Sequence, residues 1–169
     1  LDWVNGHYIR LFSIEEITDL AIPYLIEAGL IDKEFVKENR QWLETLVDIV
    51  REGLSNMSEI ADKVKFIFNN KIQIEDNKAL EMLKSEGTKS ILKAMKEELN
   101  NIDKVDEKFA ASLMKKIQKS TGIKGKNLFM PTRVALTGSL HGPEFVKIIL
   151  LLGKQNILER IEYVEKNYL

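Results

Sequence analysis

Apolar residues recur at spacings of three and four along almost the whole chain, and alternating β-branched runs are absent. This periodicity puts apolar side chains on one face of a helix, so it predicts an all-α fold. Ser13 and Glu16 form a capping-box pattern that begins one helix, and Gly29 can end it. Pro23 lies inside that helix and predicts a kink or a break.

A polar segment divides the predicted helices into two groups. Before it, one helix is expected from about residue 32 to 53 and another from about 58 to 68. Residues 69–77 are polar and contain asparagines typical of turns, so we place a domain boundary there. The predicted organisation is two small helical bundles, residues 1–76 and 77–169.

The second bundle changes character along its length. Three helices are predicted at about 77–86, 88–101 and 106–120. In the segment 121–142, by contrast, four glycines and a proline break any long helix into turns and short pieces.

Two prolines mark predicted helix starts in this part of the chain. Pro131 and Pro143 can each occupy the first helical position, where a missing N–H is tolerated. The second of these helices is strongly apolar and should end at Gly153. Helix N-termini present unbonded N–H groups and a positive dipole end, which suit phosphates and base-edge acceptors. Arg133 is predicted in the first turn of the Pro131 helix.

The composition excludes several classes of protein. A chain of 169 residues with 44% apolar content can bury a substantial core. It has no cysteine, and His7 and His141 are far apart in sequence, so we expect neither disulfides nor structural zinc. The longest apolar run, residues 148–152, is too short to span a bilayer, and no signal-peptide pattern is present. We therefore expect a cytoplasmic protein and, because the chain opens at Leu1, a fragment of a longer one.

The charge is distributed unevenly. Between residues 115 and 152, seven basic residues and one acidic residue give +6, so a net charge of −1 leaves −7 for the remainder. A basic segment in an acidic chain favours contact with a polyanion such as nucleic acid. The alternative is that these lysines only keep helix surfaces soluble.

No catalytic motif is evident. The pairs Gly125-Lys126 and Gly153-Lys154 lack the earlier glycine of a phosphate-binding loop, and neither a metalloprotease motif nor a nucleophile elbow occurs. His141 has no serine, cysteine or carboxylate pattern that would mark a catalytic partner. The abundant carboxylates on helix faces are interpreted as solvated surface.

What remains is a binding surface near Arg133. Its planar guanidinium could make a bidentate contact to a base or a phosphate, or it could form a surface ion pair with Glu144. Phe129 and Phe145 could stack on unstacked bases, or they could be core residues. An RNA-binding helical module is thus one interpretation. A helical protein-interaction module is the main alternative, and a free-standing enzyme with a composite pocket is the third.

Two segments resemble one known family. Residues 1–10, LDWVNGHYIR, resemble the segment by which bacterial glutamyl-tRNA synthetases leave the catalytic half and enter the anticodon-binding region. Residues 121–142, TGIKGKNLFMPTRVALTGSLHG, followed by Pro143-Glu144 and by LLGK at 151–154, resemble the hallmark of the family near its C-terminus. The intervening helix lengths match, so the resemblance covers essentially the whole chain.

The resemblance implies a fragment of a class I synthetase whose C-terminal region forms two all-helical domains, a cage around the anticodon loop. Residues 1–76 would hold the end of a stem-contact region and the first anticodon-binding subdomain, and residues 77–169 the second. The parent would be an ATP-dependent glutamate–tRNA ligase that uses ATP with magnesium in its catalytic half. The fragment itself would have no catalytic residue, cofactor or metal. We expect it to bind tRNA, and neither DNA nor a membrane, as a monomer.

The resemblance also implies which residues contact the anticodon. Arg133 occupies the position of an arginine that does so, and Lys115 falls where the family can place another basic contact. Gly142, Pro143 and Phe145 align with the loop and helix start that pack against the bases.

Enzymes restricted to glutamate tRNA resemble one another in carrying an arginine at the position of Gly53, and that arginine contacts the third anticodon base. This chain has glycine there and so departs from their pattern. Glutamate and glutamine tRNAs share the middle anticodon base and differ at the third. Glycine at this position therefore predicts a non-discriminating enzyme that charges both. Alternatively, Gly53 is a helix C-cap and a neighbour such as Arg51 supplies the discrimination, although Arg51 could equally be structural.

Overall fold

The computed structural model describes residues 5–169, and every regular element within that range is a helix or a helical turn. The predicted all-α class is confirmed. The chain separates into two compact units, one ending at Phe68 and the other comprising Asn69–Leu169. None of the helices in the described range is long and apolar enough to cross a membrane. The first four residues of the N-terminal motif, Leu1 to Val4, lie outside this range.

The first unit contains five short α-helices. Two turns of 3₁₀ helix lie between the fourth and fifth helices, and a third turn follows the fifth helix. The helices are α1 (Gly6–Leu11), α2 (Ile14–Glu27), α3 (Lys33–Glu38), α4 (Arg40–Val50) and α5 (Ile60–Val64). The 3₁₀ turns are Arg51–Gly53, Met57–Glu59 and Lys65–Phe68. Fully buried apolar side chains of α2, α4 and α5 form the core of this unit, among them Ile17, Leu25, Leu46 and Ile60.

Helix α2 begins as the sequence predicts. The Ser13 hydroxyl oxygen accepts a hydrogen bond from the Glu16 N–H over 3.2 Å, and the Glu16 carboxylate accepts one from the Ser13 N–H over 3.1 Å. Of the kink or break expected at Pro23, the break does not occur: the helix continues through Pro23 to Glu27. Pro23 lies on the exposed side, while Leu25 anchors the helix in the core.

The helix predicted over residues 32–53 is divided in the structure. Asp32 caps α3 by accepting from the Phe35 N–H over 2.8 Å, as its capping pattern predicts. Asn39 then leaves helical geometry, with φ −129° and ψ 34°, and its side-chain amide donates to the Phe35 carbonyl over 3.0 Å. This side-chain bond to the backbone competes with the helical ladder and separates α3 from α4.

The second unit also contains five α-helices. They are α6 (Asn77–Leu83), α7 (Thr88–Asn100), α8 (Glu107–Thr121), α9 (Lys126–Thr137) and α10 (Phe145–Tyr168). Gly153 interrupts α10 with φ 74° and ψ 174°, so the predicted stop at this glycine is confirmed. The apolar stripe of each helix faces one core, which includes Ile91, Leu113, Leu128, Ile148 and Ile161.

The helix starts predicted at the two prolines are wrong. Helix α9 begins five residues earlier than expected, after Gly125, so Pro131 is a buried interior residue. The first helical residue of α10 is Phe145, and Pro143 precedes its N-cap. A proline that fits the first position is also tolerated inside a helix whose core contacts compensate for one lost hydrogen bond. Arg133 consequently lies in the second half of α9 and not in a first turn.

Residues 69–76, which the sequence grouped with the first bundle, pack on the second unit. The Ile72 side chain is buried, and the Tyr168 hydroxyl donates to the Ile72 carbonyl over 3.1 Å. Arg160 donates through Nε to the Asn70 side-chain oxygen over 2.9 Å. We call residues 70–75 the strap. It is non-helical and polar, so its sequence is typical of a linker although its contacts are those of a packed segment.

Candidate nucleic-acid interface

Arg133, Gly142, Pro143 and Phe145, which the resemblance implies as site residues, lie together in the second unit. The Arg133 Nη1 donates to the Pro143 carbonyl over 2.9 Å. The guanidinium carbon lies 5.2 Å from the centre of the Phe145 ring, within cation–π range. A Cβ atom added to Gly142 would lie 3.2 Å from the same Nη1, so Arg133 approaches the backbone closely here. We call these four residues the arginine corner.

The Arg133 guanidinium is partly buried and positioned, yet it retains donors. Burial lowers the pKa of Arg133 from its ordinary value, but an arginine stays charged at neutral pH. The ion pair with Glu144 considered from the sequence is absent from the contacts of the described residues. The bond to Pro143 uses one of five N–H groups of the guanidinium. The others suit an acceptor brought by a ligand.

The loop between α9 and α10 is fixed at its start by the strap. Gly138 ends α9 with φ 81°, and a Cβ atom there would lie 1.9 Å from the Gln73 carbonyl oxygen. Only glycine fits this close approach without moving the backbone. The Glu75 N–H donates to the Gly138 carbonyl over 3.0 Å, and the Glu75 carboxylate accepts from the Ser139 hydroxyl and the Leu140 N–H over 2.8 and 3.0 Å.

Arg160 joins the strap to the end of α9. Its side chain is fully buried, and Nη1 donates to the Leu136 carbonyl over 2.7 Å. Burial lowers the pKa of Arg160 to about 10, so it remains a cation at neutral pH. A positive charge at the last turn of α9 also complements the helix dipole. Arg160 belongs to none of the motifs recognised in the sequence, although its spacing from Ile157 and Val164 places it on the buried face of α10.

Lys115 belongs to a separate basic feature on α8. A cavity of about 580 Å³ is lined by Ser112, Gln118, Gly122 and the four lysines Lys115, Lys116, Lys119 and Lys124. No carboxylate is among the lining residues. Lys115 and Lys119 lie one helical turn apart, where like charges repel unless an anion neutralises them. We call this cavity the lysine pocket.

The structure separates the two phenylalanines that the sequence analysis left undecided. Phe145 is only 8% exposed and packs in the core beneath Arg133, whereas Phe129 is 45% exposed. Phe129 and Arg133 are four residues apart on α9, so they lie on the same helix face, one turn apart. An exposed aromatic ring beside a cationic side chain is suited to stacking on a base.

Gly53 lies in the first unit, in an exposed 3₁₀ turn after α4. Its φ is not positive, and a Cβ atom added there would meet nothing within 4 Å. The interpretation of Gly53 as a helix C-cap required by backbone geometry is therefore wrong. Arg51 is structural, because its Nη2 donates to the carbonyls of Ile9 and Phe12 over 2.8 and 2.6 Å.

The histidines and carboxylates of the described residues form no metal site. Within residues 5–169, no group of three or more such side chains is arranged to hold a metal ion. His141 is exposed at the loop between α9 and α10.

These observations define the class of the molecule: a helical module with a positioned arginine, an exposed aromatic ring and a lysine-lined cavity, features suited to RNA. The chain belongs to the anticodon binding domain family, whose model matches residues 16–164.

Relatives of known name agree with this family. The chain is 43% identical to glutamate–tRNA ligase 1 of Caldicellulosiruptor saccharolyticus over 168 residues, which covers 99% of this chain and 35% of that protein. It is 37% identical to a glutamate–tRNA ligase of Clostridioides difficile, covering 100% of this chain and 34% of that one. The resemblance to glutamyl-tRNA synthetases is thus confirmed, and the chain spans about a third of the length of these relatives.

A solved structure shares the fold. The crystal structure of a glutamate tRNA ligase from Elizabethkingia meningosepticum superposes with a TM-score of 0.82 at 20% identity. The match covers 98% of this chain and 31% of that one.

Proposed function

We propose that this chain binds the anticodon loop of a tRNA, as the anticodon-binding part of a glutamate–tRNA ligase. The arginine corner is the observation that supports it most strongly. Arg133, Gly142 and Pro143 lie within the segment that resembles the hallmark of the family, and the guanidinium contacts Pro143 and Phe145. Membership of the anticodon binding domain family supports the same function.

In this proposal, Arg133 recognises a base. Its remaining N–H groups form a planar fork that matches two acceptors on a base edge, and the bond to Pro143 orients that fork before RNA arrives. A pre-oriented donor loses less side-chain entropy on binding than a mobile one. Gly142 has no side chain and leaves room for a base close to the guanidinium.

Phe129 and the lysine pocket have different roles. Phe129 stacks on a base splayed out of the loop, which adds affinity with little dependence on sequence. Lys115 and the other lysines of the pocket neutralise backbone phosphates, which adds affinity that falls with salt. Discrimination between anticodons therefore depends on Arg133. The salt dependence of RNA affinity depends on the lysines of the lysine pocket.

Gly53 bears on which tRNAs are accepted. The exposed turn has room for a large side chain, yet glycine offers no donor to a base. Arg51 is committed to backbone carbonyls of the first unit and does not substitute for such a donor. We propose that the third anticodon base is not selected at this position, so that glutamate and glutamine tRNAs are both bound.

The whole protein would be an ATP-dependent glutamate–tRNA ligase that acts in the cytoplasm as a monomer. Its ATP, magnesium and catalytic residues would belong to parts outside this chain. The chain alone would then bind tRNA without aminoacylating it.

Titration of the chain with fluorescently labelled glutamate tRNA at 50 and 200 mM salt tests the proposal against the protein-interaction alternative. RNA binding through phosphates should weaken steeply between these concentrations, by about 2.6-fold for each phosphate contact. Affinity that is absent, or that does not change with salt, would contradict the proposed function and favour a module that binds a partner through an apolar groove.

A further inference from the structure

Glu75 lies 58 residues before Arg133 in the chain, and none of its contacts involves that arginine. We propose that Glu75 is a positioning residue for anticodon recognition: it sets the conformation of the loop 139–144, and that loop orients Arg133. The inference rests on the proposed function, since it concerns how the same site discriminates between RNAs.

The Glu75 carboxylate holds the loop through both oxygens. One oxygen lies 2.8 Å from the Ser139 hydroxyl, whose single proton it shares with the His141 carbonyl at the same distance, and the other accepts from the Leu140 N–H over 3.0 Å. The Ser139 hydroxyl oxygen in turn accepts from the His141 N–H over 3.2 Å. Hydrogen bonds to a charged acceptor are stronger than neutral ones, so Glu75 fixes Ser139 and Leu140 directly, beside the local bonds of Ser139 to Thr137 and His141.

The strap that carries Glu75 is itself fixed. Its Ile72 side chain is buried, and its Asn70 side chain is bonded to the fully buried Arg160. The Glu75 N–H is bonded to the Gly138 carbonyl, which holds the backbone of Glu75 beside the start of the loop. The Glu75 side chain is exposed, but both its backbone and its carboxylate are bonded to residues 138–140.

The loop transmits this constraint to Arg133 through Pro143. The carbonyl of Pro143 accepts from Arg133 Nη1, so the position of that carbonyl decides where the guanidinium points. Glu75 holds the loop near its beginning, and the loop presents the Pro143 carbonyl to Arg133 near its end. If the beginning is released, the path of the loop toward Pro143 changes although Phe145 stays in the core, and the fork of Arg133 loses its defined direction.

The test compares Glu75→Ala, Glu75→Gln and wild type in binding to two RNAs, the anticodon stem-loop of glutamate tRNA and the same stem-loop with its middle anticodon base changed. Glu75→Ala should weaken binding of the first RNA by about tenfold and leave binding of the second nearly unchanged. Glu75→Gln should recover most of the loss, because its amide oxygen still accepts from Leu140. The control Glu86→Ala removes an exposed carboxylate of the same unit and should change neither affinity.

A second arm tests whether Glu75 acts through Arg133. The double variant Glu75→Ala/Arg133→Ala should bind no more weakly than Arg133→Ala alone, because the path from Glu75 ends at that side chain. Losses that multiply, or equal weakening of both RNAs by Glu75→Ala, would overturn the positioning role. Amide hydrogen exchange gives an independent measurement: the Leu140 N–H should exchange faster in Glu75→Ala, and an unchanged rate would also overturn it.

Different results would contradict the proposed function and the positioning role of Glu75. A wild-type chain that does not distinguish the two RNAs would overturn the proposed function and this inference with it. A wild-type chain that does distinguish them, with an unaffected Glu75→Ala variant, would overturn the inference alone.

Discussion

Arg133 and Pro143 are joined by a hydrogen bond of 2.9 Å from the guanidinium Nη1 to the backbone carbonyl, which links the second half of α9 to the loop before α10. The bond places a cation at the surface of the second unit in a defined orientation. Because of this bond, the Arg133 side chain is already ordered, whereas a mobile surface arginine would have to be ordered when RNA binds.

Arg133→Ala should weaken discrimination between cognate and altered anticodons by roughly 1–3 kcal/mol, because a directional charged donor is lost. Arg133→Lys should restore part of the affinity and little of the discrimination, since a point charge does not reproduce a planar fork. Competitive binding and thermal unfolding measured on the same samples check this. An alanine variant that unfolds early but binds RNA normally would show that Arg133 is structural.

The double variant Lys115→Gln/Lys119→Gln should lower the salt dependence of RNA binding. Two phosphate contacts on a single strand contribute a slope of about −1.4 in a plot of log affinity against log salt. The matched control is Lys89→Gln/Lys93→Gln, which removes two exposed lysines at the same spacing on α7. Equal slopes in wild type and the α8 variant would exclude the lysine pocket from the RNA contact.

Gly138→Ala should destabilise the chain more than Gly122→Ala does. Both glycines cap a helix with positive φ, so alanine costs about 1–2 kcal/mol at either position. At Gly138 the new methyl group would also meet the Gln73 carbonyl, which should add roughly 1–3 kcal/mol, whereas nothing lies within 4 Å at Gly122. Urea unfolding followed by circular dichroism measures the difference, and equal costs would argue against the close approach of the strap.

Gly53→Arg should fold normally, because the turn is exposed and has room for a side chain. The new arginine should favour the anticodon stem-loop of glutamate tRNA over that of glutamine tRNA, since a donor facing the wrong base edge is left unsatisfied. Wild type should bind the two with similar affinity. Strong rejection of the glutamine stem-loop by wild type, or an unchanged ratio in the variant, would refute the prediction of a non-discriminating protein.

The sequence predicted those features whose determinants are local. Helix starts at Ser13 and Asp32 depend on a cap and its own first turn, so the residue pattern is sufficient to find them. Arg133, Gly142 and Phe145 fall within thirteen consecutive residues, and the family resemblance of this short segment implied all three as site residues. Pro131 was wrongly predicted to begin a helix, because a proline suits both a helix start and a well-packed helix interior.

The features that the sequence did not reveal depend on distant partners. Glu75 bonds residues 64 and 65 positions later, and Arg160 bonds Asn70 across 90 positions. Neither contact leaves a periodic signal, because the strap is non-helical and its side chains are those of an ordinary polar linker. Only the folded backbone shows that this segment supports the loop of the candidate site.

The most direct test of the central proposal is the ratio of two dissociation constants, measured by titrating this chain with the anticodon stem-loop of glutamate tRNA and with a stem-loop changed at the middle anticodon base. The unchanged stem-loop should bind roughly 10- to 100-fold more tightly, equivalent to about 1.4–2.7 kcal/mol for one mismatched base contact. Equal binding of the two RNAs, or binding of neither, would contradict it.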